Sequence, residues 1–231
     1  KKFPGFVVDY EIWNEPDLAS CCVNPNTDAR RMSVYLAIYA AAASAMKAQA
    51  ASDGQPIRIG GPTTVTNSYL NWIPALLSNP STAPYVDFVS YHQYPTGTTQ
   101  IQSGMTWDTP HGPPTLYSIT QSNFASWFTS IAKMVHAGNQ PNAATTPVYV
   151  SEWNDGWAFM QDCCRNEPTY SPVMNGLVIL DYMNTVYSGS GTVPGKLFYY
   201  SACAFPYFCM IGVWDSQMTC QYPAGSTPVP Y

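Results

Sequence analysis

The chain has little charge. Of its 231 residues only 10% are Asp, Glu, Lys or Arg, well below the roughly 25% of an average soluble domain. Nine basic residues against fourteen acidic ones leave a formal net charge of −5. Phosphate backbones are held by clustered Lys and Arg, so this deficit argues against nucleic acid as a partner and equally against an anionic membrane surface. Histidine is scarce too: three residues, scattered, with no Cys-x-x-Cys pair near them. That pattern suggests no zinc site, and no metal or cofactor is expected. Internal repeats, low-complexity tails and Asn-x-Ser/Thr sequons with a permitted middle residue are absent. Lys1-Lys2-Phe3-Pro4 lacks the apolar stretch and cleavage site of a signal peptide. The longest uncharged helical run, Met32 to Met46, is too short and too rich in Ala, Ser and Tyr to span a bilayer. The reading is a soluble protein whose true beginning lies elsewhere.

What the chain has in quantity is apolar and aromatic side chains, 46% and 14% of the total. With few charges, its surface must be covered by Ser, Thr, Asn, Gln, Tyr and Pro, which suits secretion and neutral polar ligands such as sugars. Seven cysteines occur as Cys21-Cys22, Cys163-Cys164, Cys203, Cys209 and Cys220. Without a metal pattern, disulfides in an extracellular, oxidising compartment are the better reading. The odd count leaves one thiol free or paired outside this chain.

Strand and helix patterns alternate. Phe6–Ile12 reads as a strand, and Asp28 caps a helix running to about Ala51, with Met32, Tyr35, Leu36, Tyr39, Ala43 and Met46 on one face and Gly54 beyond its end. Ile57-Arg58-Ile59 is a short strand entering a Gly60-Gly61-Pro62 turn. A helix from Asn67 through Leu77 carries Pro74, which suggests an interruption. Val86–His92 is a strand, Ser122–His136 an amphipathic helix stopped by Gly138, and Val148–Glu152 a strand. A helix capped by Ser171 and a last strand, Lys196–Tyr200, complete five strands and four helices in one domain over residues 1–231. This alternation predicts an α/β fold with a parallel sheet and helices outside.

Two carboxylates stand where a strand pattern ends: Glu15 in Trp13-Asn14-Glu15-Pro16, and Glu152 in Ser151-Glu152-Trp153-Asn154. Active sites of parallel sheets form at that edge. Two such carboxylates suit glycosidic bond cleavage, one as proton donor and one as nucleophile. Asp9 and Glu11 precede the first motif and alternate with it, and Glu11 is not the expected catalyst.

Ile12-Trp13-Asn14-Glu15-Pro16, Tyr91-His92-Gln93-Tyr94 and Ser151-Glu152-Trp153-Asn154 resemble the active-site strands of clan A glycoside hydrolases. Within the clan, Glu11 to Pro16, Gly60-Gly61-Pro62 and the Ser-Glu-Trp-Asn ending are most similar to family 39, which includes β-xylosidases and α-iduronidases. The resemblance implies the C-terminal five β/α units of a (β/α)8 TIM barrel, with strands one to three absent from this chain. Half a barrel exposes strand edges and an apolar interior. A fragment is therefore expected, completed by another segment or chain.

The resemblance also implies roles. Glu15 is the acid/base, Glu152 the nucleophile of a retaining double displacement, and Asn14 the hydrogen-bond partner of the sugar's 2-hydroxyl. His92 and Tyr94 would hydrogen-bond the nucleophile or the substrate. Trp153, Trp157 and Trp214 would offer stacking platforms, with packing of the barrel rim as the alternative. Asp155 and Asp215 are weaker candidates for sugar hydroxyls. Cys21-Cys22 and Cys163-Cys164 follow the two catalytic strands, so a disulfide between those loops is plausible if they share a face. The implied partner is an oligo- or polysaccharide, neutral and β-linked. The competing reading is a catalytically weak or inactive extracellular structural or glycan-binding protein built on the same barrel.

Overall fold

The computed structural model describes residues 7–18, 26–65, 69–93, 128–138, 140, 142–153 and 195–199. In chain order these form β1 (Asp9–Glu11), α1 (Asp28–Ser52), β2 (Arg58–Thr64), α2 (Tyr69–Ser78), β3 (Phe88–Gln93), α3 (residues 128–136), β4 (Val148–Trp153) and β5 (Gly195–Tyr199). The expected helix capped by Ser171 lies outside the described residues. No described helix is long and apolar enough to cross a membrane.

The five strands are parallel and form one sheet in the order β1-β2-β3-β4-β5. Asp9 pairs with Arg58 and Gly60 with Phe88. Spatial order equal to chain order, with no reversal, is the winding of a barrel rather than of a doubly wound sheet. The sheet is also curled. Adjacent strands lie about 4.8 Å apart, so a flat sheet would set β1 and β5 about 19 Å from each other. Yet Asp9 on β1 reaches Lys196 on β5 at 2.6 Å, and Tyr149 on β4 at 3.5 Å. Five consecutive β/α units of a (β/α)8 barrel have this form.

Alternation along each strand separates two layers. On the helix side, Ile12, Ile59, Tyr35, Tyr39, Ala43, Trp72 and Leu76 make one buried cluster, with Met32, Leu36 and Met46 packed against it. The Trp72 indole N–H donates to Asp28 at 3.0 Å and so ties α2 to the start of α1. On the concave side, the Phe88 ring stacks on Tyr149 at 4.5 Å. Glycine is required where these layers meet β2: a Cβ at Gly60 would collide with the Phe88 ring, and one at Gly61 would strike the Tyr35 hydroxyl.

Four local expectations are corrected. Thr27, not Asp28, caps α1, its hydroxyl accepting from Arg30 N–H at 3.3 Å. Gly60-Gly61-Pro62 is no turn but the middle of β2, because close packing on both faces favours residues without bulk there. Pro74 lies inside an unbroken α2. β1 is shorter than its apolar run, and Val7 and Val8 before it are exposed.

The chain divides into two compact units. The first comprises Lys1–His92, Phe128–Ser151 and Ser190–Leu197, and contains the described helices and most of each described strand. The second comprises Gln93–Trp127, Glu152–Gly189 and Phe198–Tyr231. Its described residues are the C-terminal residues of β3, β4 and β5.

Candidate active site

Beyond β1 the chain keeps its register with β2. Ile12 N–H donates to Gly60 O and Glu15 N–H to Thr63 O, both at 3.2 Å. Between these bonds the backbone leaves the extended region, with φ of 72° at Trp13 and 46° at Glu15. L-residues rarely adopt such values, and they persist where surrounding contacts hold them. The result is a carboxyl at a strand tip, pinned by its own backbone.

Phe88, Ser90 and His92 share one face of β3. The His92 side chain is 2% exposed and its Nδ1 lies 2.9 Å from Glu15 Oε1, whose side chain is 19% exposed. This single contact serves both protonation states of the carboxyl. An ionised Glu15 accepts from Nδ1–H, and a protonated Glu15 donates to a bare Nδ1. A buried imidazole that can change tautomer while the carboxyl gains or loses a proton suits a residue acting first as acid and then as base. Carboxylate and imidazole are also among the side chains that ligate divalent cations.

A second polar group lies at the opposite end of β1. Asp9 accepts from Arg58 at 2.7 and 2.8 Å and from Lys196 at 2.6 Å. Partial burial works to raise the Asp9 pKa, but the hydrogen bonds from Lys196 and Arg58, helped by their charges, hold it below its ordinary value. The Asp9 hydrogen bond in turn raises Arg58. Burial, then the Asp9 charge, raises Tyr149. Asp9 is the first residue of β1, whereas Glu15 lies beyond its C-terminal end. The group therefore braces the sheet rather than serving the carboxyl at the other end.

The other expected residues divide. Glu152 is the penultimate residue of β4 and half-buried. Asn14 is exposed beside Glu15. His92 meets Glu15, the expected acid/base. Trp153 is 1% exposed, so its ring packs in the interior and presents no face for stacking a sugar. Tyr94, Trp157, Trp214, Asp155, Asp215 and all seven cysteines lie outside the described residues. Sequence reasoning missed Thr63 and Asp17. The signal was slight: a second carboxylate two positions after Glu15, and a polar residue closing the Gly-Gly-Pro run.

A family model for the glycosyl hydrolases family 39 matches residues 7–208. A search of curated proteins gave no match. Among solved structures, the GH39 enzyme from Xanthomonas axonopodis pv. citri aligns over 87% of this chain at 20% identity, with a TM-score of 0.46. This chain spans 34% of the length of that one. The matched span takes in the tips of β1, β3 and β4 with Glu15, His92 and Glu152, and the chain belongs to glycosyl hydrolases family 39.

Proposed function

We propose that the chain carries the catalytic carboxylates of a retaining glycoside hydrolase acting on a neutral, β-linked glycan. The observation that carries this reading is the Glu15 carboxyl held at a strand tip on the buried His92. Glu15 protonates the leaving oxygen, while Glu152 attacks the anomeric carbon and displaces it. Glu15, now ionised, then takes a proton from the water that hydrolyses the glycosyl-enzyme, so two inversions give net retention. Asn14 binds the sugar 2-hydroxyl, and Tyr94 and Trp214 are further substrate contacts. The protein works outside the cell, where its cysteines form disulfides, and a further segment or chain completes the barrel around the site.

Incubation with an aryl 2-deoxy-2-fluoro-β-xyloside tests the mechanism. Mass spectrometry should find the fluoro-sugar on the peptide containing Glu152. Turnover without such a label would remove the covalent step. Glycan binding without any turnover would favour the non-catalytic reading instead.

A further inference from the structure

Among the described residues, three other than glycine have φ in the left-handed region, and all three lie at the tips of β1 and β2: Trp13, Glu15 and Thr63, the last with φ of 56°. Thr63 is the most telling, since a β-branched residue there is a genuine outlier. It is fully buried, and its hydroxyl donates to Pro62 O at 2.6 Å, with Trp13 O at 3.4 Å as a second, longer acceptor. Its carbonyl accepts from Glu15 N–H at 3.2 Å. Two residues further on, the buried Asp17 accepts Val65 N–H on Oδ1 at 3.2 Å. Leu18 N–H closes the turn onto Glu15 O at 3.1 Å. Glu15 is thus bracketed: the chain two positions before it and two positions after it is fastened to residues 63–65 at the end of β2.

We propose that Thr63 and Asp17 are positioning residues that hold the Glu15 carboxyl on His92 in the geometry that general acid catalysis needs. Neither has to touch the substrate. Without the clamp the left-handed turn relaxes toward ordinary backbone angles, and a carboxyl at its apex swings away from Nδ1. An error of an ångström at that atom weakens proton transfer while leaving the fold intact. The proposal rests on Glu15 being the acid, and its test separates the two ideas.

The full chain and its Asp17→Ala and Thr63→Val variants are compared on phenyl and 2,4-dinitrophenyl β-xyloside. Phenolate leaves poorly and needs the acid, whereas dinitrophenolate leaves without help. Loss of positioning should lower kcat on the phenyl glycoside by about tenfold or more and on the dinitrophenyl glycoside by less than about threefold. Asp17→Asn keeps an oxygen for Val65 N–H and should restore most of the loss. Equal losses on both glycosides would mean a merely structural role and overturn the proposal. Ring-nitrogen NMR of His92 gives a readout that needs no turnover: its signals should move in folded Asp17→Ala or Thr63→Val, and unmoved signals overturn the clamp. If the unmodified chain turns over neither glycoside, the His92 signals decide the clamp by themselves. Should Asp17→Ala not fold, the milder Thr63→Val and Asp17→Asn carry the same comparison.

Discussion

Glu15 and His92 are 77 positions apart in the chain and 2.9 Å apart in space. Each was identifiable alone, Glu15 from Asn-Glu-Pro at the end of an apolar run and His92 from the end of another. Their pairing was not, because a histidine pattern on one strand carries no record of which neighbouring tip it faces. Replacing Glu15 by Gln keeps the shape but removes the proton, and should lower kcat by about 10²–10⁴ on a glycoside with a poor leaving group. Steady-state kinetics would check this, and unchanged turnover would remove Glu15 from the mechanism. Trp153 teaches the opposite lesson. An aromatic beside a candidate carboxylate fits a sugar platform and a packed core equally well, and only its burial distinguishes them.

Elements were the most legible level. Amphipathic spacing located α1, and its buried Tyr35, Tyr39 and Ala43 are the residues that spacing selects. β2 was least legible, because Gly-Gly-Pro is turn chemistry by propensity and becomes strand only under tertiary packing. That packing can be tested. Gly61→Ala would push a methyl against the buried Tyr35 hydroxyl, and overpacking of this kind costs about 1–3 kcal/mol. Denaturant unfolding should register the loss, and Tyr35→Phe in the same chain should recover part of it by removing the obstructing oxygen. Tyr35→Phe alone should be close to neutral, since no group among the described residues bonds that hydroxyl.

At the scale of the whole sheet, curvature is fixed where Asp9 joins β1 to β2 and β5 through Arg58 and Lys196. Asp9 is held below its ordinary pKa in the folded chain, so the unfolded chain binds that proton more readily. The stabilisation is complete above the unfolded value of about 3.9 and is lost as pH falls through the lower folded value. Thermal unfolding of the unmodified chain should therefore drop more steeply than that of Asp9→Asn between about pH 4 and pH 2. Parallel curves would show that the ion group contributes nothing to closing the sheet. Both Asp9 and Arg58 were visible as charges inside strand patterns, but the sequence named no partner for either.

Local periodicity and strand-end motifs determined the α/β order, the family resemblance and the two candidate carboxylates, because these depend on residues close together in the chain. Tertiary structure alone decided the His92 contact, the strained turn at Glu15 and the burial of Trp153. Each of those depends on which distant backbone comes to lie alongside, and hydrophobic spacing along one strand holds no information about that.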